Sequence, residues 1–371
     1  MLIFVACNQR CEAFIQLVHD YECLKEIVMH IQRYCFFVLA FLGVCSPTYA
    51  HVKWFSDYDL SRHPIPLIEI LNTQFFILMG LATCAVFLAR MVDNVWKVDS
   101  PRVFLKRFFL PSQDYVTLLI RISTGIFFFS LWLQGKVILT PEIFRVDEQF
   151  VEAVQLVIAI ATLSRRLCFI SGIGIFVLYG YSAYLHGIFH LLDYVFFIGF
   201  ANYLVWCSGS NKNQSCHITI LYVTLALSLM WGAMEKFSYP YWYFPLLDDK
   251  PYLTFGFDQT TFVRLAGFVE LTLAFLLIFS RNMLLLFAIG LNTIFIVAIV
   301  DFGKVDAIGH LLIMSVLVVM ALEGPSRFAT VTFASGTLSA PIRSAMITTL
   351  FVITSLSLLG LYHFLQYYLN P

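Results

Sequence analysis

Long apolar runs, separated by short polar or Pro/Gly breaks, follow one another along most of the chain. Ten are long enough to cross a hydrocarbon core of roughly 30 Å as helices. They cover residues 66–89, 115–134, 149–164, 167–185, 187–206, 217–235, 262–280, 282–300, 305–322 and 345–367. An earlier run, Cys35 to Cys45, has eleven residues and is too short to span. Arg33 precedes it and Ser46-Pro47-Thr48-Tyr49-Ala50 follows, with small residues at Thr48 and Ala50. That is the layout of a secretory signal peptide cleaved after Ala50, with Met29 placed as its start; an uncleaved short first helix is the other reading. The expected fold is all-α, a polytopic transmembrane helical bundle of about ten spans.

Composition agrees with the pattern. Hydrophobic residues make up 60% and charged residues 12%, against roughly 25% charged in a soluble domain. Mean hydropathy is +0.82, and there are 38 phenylalanines. A soluble globule, a disordered tail and a secreted disulfide scaffold are disfavoured on these grounds. The 23 basic and 23 acidic side chains cancel, so no bulk field attracts nucleic acid.

Lysine and arginine then orient the bundle. A cleaved signal leaves His51 outside and the 90–114 loop inside, with Arg90, Lys97, Arg102, Lys106 and Arg107. Arg165, Arg166, Lys212, Arg281, Arg327 and Arg343 fall on the same side, eleven in all against seven outside (Lys53, Arg62, Lys136, Arg145, Lys236, Lys250 and Lys304). The expected location is a bacterial inner membrane, multi-pass, with the mature N-terminus outside. Five of nine cysteines precede Ala50, and Cys168, Cys207 and Cys216 fall at or near the inner face, where thiols stay reduced. With no outer C-x-x-C, a thiol-relay oxidoreductase lacks its working parts.

The chain also repeats itself. Leu118–Lys136 and Ile218–Lys236 are apolar helices that close on Gln134-Gly135-Lys136 and Met234-Glu235-Lys236. The next helices carry Val154-Gln155-Leu156 and Val269-Glu270-Leu271, and each turns at Ser-Arg (Ser164-Arg165, Ser280-Arg281). The fourth carry Phe189-His190-Leu191-Leu192 and Gly309-His310-Leu311-Leu312. Two four-helix units, 115–206 and 217–322, therefore run in the same direction, related by an axis along the membrane normal. Residues 1–50 form the signal or first helix, 51–114 one span with a basic loop, and 323–371 a loop and the last span.

Arg121-x3-Gly125 with a closing Gly135-Lys136, followed by Val-Glu-Leu and Ser-Arg in the next helices, resembles the DoxX/DoxD-type membrane family. The resemblance covers both repeats, and it implies a four-helix membrane module. Members of that family include a quinone-linked subunit of a thiosulfate oxidoreductase and a maturation protein of methylamine dehydrogenase. This chain departs from the pattern at Leu221, where the first half has Arg121, and at Gln155, where the second half has Glu270.

Ionisable groups within spans cost about 2.5–3.5 kcal/mol each near the centre, so each needs a reason. They gather toward the outer ends. His186, His190 and Asp193 are spaced i, i+4, i+7, which places them on one face of a continuous helix. His310 and Glu270 lie at related depths in the second unit, with Glu152, Glu235 and Asp306 nearby. Three readings stand side by side. His186 and His190, with Asp193 and His310, have donor types suited to a metal ion. His190, Asp193, Glu270 and His310 are candidate catalytic groups exchanging protons with a quinone headgroup, with Lys136 and Lys236 binding an anionic substrate at the rim. Alternatively, all of these groups stitch helices together. The aromatic loop Ser238–Pro245 is expected as an interfacial belt. His51 as a mature terminus, with His63, is a weaker copper candidate. No nucleotide-binding loop, H-E-x-x-H or Ser/Cys-His nucleophile arrangement occurs. The expected function is a redox-linked, quinone-associated membrane subunit working with a redox partner protein; a scaffold or assembly factor, or a small-solute transporter, is the alternative.

Overall fold

The computed structural model describes residues 63–95, 114–135, 137–139, 149–207, 214–325, 329 and 339–369. The proposed signal, His51, Lys136 and most of the 90–114 loop lie outside the described residues. Among the described residues the fold is all-helical. The helices are α1 (Leu67–Ile70), α2 (Thr73–Val95), α3 (Asp114–Gln134), α4 (Gln149–Ala161), α5 (Cys168–His186), α6 (Ile188–Leu191) and α7 (Phe196–Trp206). They continue as α8 (Gln214–Ser238), α9 (Phe244–Asp249), α10 (Gln259–Phe279), α11 (Leu284–Phe302), α12 (Lys304–Glu323) and α13 (Ala340–Leu369).

Eight described helices are long and apolar enough to cross a membrane, and nine spans result if the bent pair around α6 and α7 is counted as one. The run expected at 149–164 forms only a 13-residue helix, α4, about 20 Å long at 1.5 Å per residue and short of a full crossing. The run expected at 187–206 bends by 66° between Ile188–Tyr194 and Phe196–Trp206. Gly187 causes the preceding break: its φ of +81° is open to glycine at no steric cost, and its N–H closes α5 on the Ala183 carbonyl.

Helix faces explain the bundle. Phe76, Ile77, Leu81 and Leu88 on α2, and Ile353 and Phe364 on α13, are exposed on the outer surface, where lipid tails solvate them. Helix α10 differs: 89% of its apolar window is buried, which makes it the central post. It packs against α8, α2, α11 and α13. Within residues 114–207, α3 packs on α4, α4 on α5 and α5 on α7. Within 214–323, α8 packs on α10, α10 on α11 and α11 on α12. The two series meet twice, α7 against α8 and α12 against α3, so the last helix of each touches the first of the other. Tyr115 of α3 donates a hydrogen bond to Glu323 of α12 at one of these seams.

Candidate functional site

Chain direction sets two ends. At one, α8 and α13 finish and α10 and α12 begin; Lys236, Asp306 and His310 lie toward this end. At the other, α2 finishes, α10 turns into α11 and α13 begins, and arginines dominate.

At the first end, Lys236 Nζ lies 2.5 Å from Glu270 Oε2, with both side chains almost fully buried. The contact depends on a close helix crossing. A Cβ on Gly267, one turn before Glu270 on the same face, would come within 2.8 Å of the Phe237 ring and 3.3 Å of Lys236 Cβ. Glycine thus lets α10 approach α8 closely enough to join the pair. Phe75, Phe237 and Phe268 pack ring on ring beside it, with centroids 4.8–5.6 Å apart.

The start of α12 supplies a second pair. His310 Nδ1 is 3.0 Å from Asp306 Oδ1, one turn earlier, and both are 1% exposed. The Phe295 ring stacks on the imidazole at 4.5 Å. Glu270 is within electrostatic range of Lys236, His310 and Asp193, so the two pairs and the carboxylate from the bent α6–α7 segment form one cluster. Glu270 Oε1 remains buried without a hydrogen-bond partner.

Of the expected catalytic residues, Glu270 therefore lies within electrostatic range of both Asp193 and His310. His190 is half-buried on α6 with its ring edge-on to Phe189. His186 ends α5 across the Gly187 break, so it and His190 do not share a helical face as unbroken i, i+4 spacing implies. Among the described residues no three His, Cys, Asp or Glu side chains are placed to hold a metal ion. Lys236 is 1% exposed and engaged by Glu270, away from any open rim; Lys136 is outside the described residues. Gln155, the counterpart of Glu270, donates to the Val137 and Ile138 carbonyls at 2.5 and 2.9 Å.

The aromatic loop does not form an exposed belt. Tyr239, Trp242 and Tyr243 are buried, with Tyr239 stacked on Trp242 at 4.0 Å. Pro240 starts a single 3-10 turn that folds the segment back over the end of α8. Lys236 Nζ lies 5.4 Å from the Tyr243 ring centroid. Burial, with the Glu235, Glu270 and Asp193 carboxylates close by, pushes the Tyr243 phenol well above its ordinary range, so it stays a neutral hydroxyl. The cap is tied down at its edges: Tyr241 Oη donates to the His63 carbonyl, and Lys250 Nζ to that of Asp301, both at 2.9 Å. Tyr362 of α13 is buried against Trp231 and Phe189, with both ring centroids at 5.0 Å.

Sequence reasoning missed Asp306 as the partner of His310, although i, i+4 spacing carries that signal. Tyr243 and Tyr362 carry no local signal, because long-range folding alone delivers them.

Together these features define a multi-pass helical membrane protein with a buried acid–base cluster at one end. Comparison with family models, with curated proteins and with solved structures gave no match.

Proposed function

We propose that this protein is a proton-exchanging integral membrane protein, in which Asp306, His310, Glu270 and Lys236 pass protons beneath the aromatic cap in a redox-linked, quinone-associated step. The observation that carries this reading is the Lys236–Glu270 pair buried on the central helix within electrostatic range of the His310–Asp306 dyad. Burying ions costs several kcal/mol each unless geometry repays it, and neutral hydrogen bonds would stitch helices at less cost. Lysine, histidine and carboxylates differ from such stitching in one respect: each can gain or lose a proton.

A quinol headgroup, the reduced form of a quinone, fits the open acceptor in one respect. The unpartnered Glu270 Oε1 suits an O–H donor, and His310 offers the neighbouring proton-carrying ring. Bound there, the quinone would supply two-electron chemistry, while the chain's own groups hold and move the protons. Asp306 orients the His310 imidazole, Lys236 offsets the Glu270 charge, and the buried aromatics exclude water.

The order of helix neighbours supports two related four-helix units, and with them the DoxX-like reading. Arg165, Arg281 and Arg343 at the opposite end support an inside location for that end and an outward-facing cluster, as in a bacterial inner membrane. The scaffold reading is favoured by one observation, the burial of the cap over the cluster. Absorbance spectra and quinone extraction on the purified protein separate the two, with Glu270→Gln and His310→Ala alongside. Bound quinone that both variants lose is the expected result; a wild type carrying none removes the redox reading in favour of the scaffold.

A further inference from the structure

A groove of about 520 Å³ opens on the membrane-facing side between α3 and α4, well away from the acid–base cluster. Its walls are Ile122, Ile126 and Phe129 of α3 and Leu156 and Ile160 of α4. Ile122, Ile126 and Ile160 are each about half exposed, as expected of side chains that meet acyl chains. Gly125 on its floor lets the two helices close up, since a Cβ there would stand 2.5 Å from Thr162 Oγ1.

Arg121 lies at the arginine end of this groove. Its Nε donates to the Thr162 carbonyl at 2.8 Å and its Nη2 to that of Leu163, in the turn just after α4. These bonds orient the guanidinium, which also lies within hydrogen-bonding reach of the Cys168 thiol. Among the described residues it has no carboxylate partner, so its charge is not neutralised by an acid. Arg165 adds a second positive charge nearby: both arginines act electrostatically on Cys168, and Arg165 Nε donates to the Cys207 carbonyl at 3.1 Å. An oriented, acid-free guanidinium at the end of an apolar trough matches a ligand with an anionic head and a hydrocarbon tail.

We propose that this groove is a binding site for an anionic phospholipid, its acyl chain lying along α3 and α4 and its phosphate on Arg121. The site is independent of the proton-exchange reading.

Native mass spectrometry of the full chain in detergent tests the proposal, with phosphatidylglycerol and phosphatidylcholine of matched chains as probes. The wild type is expected to prefer phosphatidylglycerol by about fivefold, the factor one arginine near an anionic headgroup provides. Arg121→Gln abolishes the preference and Arg121→Lys retains most of it. Ile126→Trp, which fills the groove and leaves Arg121 in place, removes the tight adduct. Equal wild-type binding of the two lipids overturns the proposal whether or not any variant folds. So does an unchanged phosphatidylglycerol adduct in Ile126→Trp.

Discussion

Arg90–Asp93 and Lys236–Glu270 are both buried ion pairs against the same central helix, one at its C-terminal end and the other near its middle. Arg90 donates to Asp93 and to the Phe279 carbonyl at the end of α10. Asp93 also accepts from the backbone N–H groups of Arg281, Asn282 and Met283, at 3.1, 2.6 and 2.7 Å. One carboxylate on α2 thereby holds the α10–α11 turn and caps the start of α11. Asp93 is held by fixed backbone donors and by the guanidinium of Arg90, so this node is built as a rigid anchor for the turn. The cluster around Lys236 has no comparable backbone cradle for Glu270, whose Oε1 is unpartnered, and it is held together by side chains alone. Two nodes of similar burial thus differ in kind: one fixes a turn through backbone donors, the other joins ionisable side chains across helices.

Substitution breaks this comparison most sharply at the structural node. Asp93→Ala strands the Arg90 charge and uncaps three N–H groups, with an expected loss of about 3–5 kcal/mol read by thermal unfolding in detergent. At the other node, Glu270→Ala alone leaves Lys236 buried without its carboxylate and is expected to cost a similar amount. The double variant Lys236→Met/Glu270→Leu removes both charges and should recover most of that loss, while Arg90→Met/Asp93→Leu should not, because the backbone N–H groups that Asp93 accepted from are left without an acceptor. Equal recovery in both double variants would erase the distinction.

Smaller effects sharpen it. Gly267→Ala forces α10 off α8 by a few tenths of an ångström, with an expected cost of about 1–3 kcal/mol measured in the same melts. Weakest is Asp258, the N-cap of α10, whose side chain accepts from Thr261 N at 2.9 Å and from its hydroxyl. Asp258→Ala should cost about 1 kcal/mol at neutral pH. The hydrogen bonds from Thr261 hold the Asp258 carboxyl below its usual range. Its contribution is therefore present above the ordinary carboxylate pKa and lost as pH falls through the lowered one, so wild-type and variant melting temperatures should converge in acid.

Much of the bundle was legible from the apolar runs alone, because lipid-facing and buried faces of a membrane helix are both apolar. The approach of Asp193 and His310 to Glu270 was also legible, since helix ends alternate with each pass. The break at Gly187 was not: apolar residues run straight through it, and the positive φ is what separates His186 from His190. Nor was the fate of the aromatic loop, whose composition suits a belt but whose Pro240 turn folds it inward. Asp93 is the clearest omission. Its spacing from Arg90 reads as a local i, i+3 pair, yet the donors that define its role come from residues 281–283.

The central claim is that Glu270 exchanges a proton inside the bundle. Infrared difference spectroscopy of the purified protein across its folded pH range measures this directly, through the C=O stretch of a protonated carboxylic acid. A titrating carboxyl band that disappears in Glu270→Gln and shifts in His310→Ala is the predicted result. A spectrum in which Glu270→Gln removes no titrating band contradicts the account, and leaves the cluster as fixed as Arg90–Asp93.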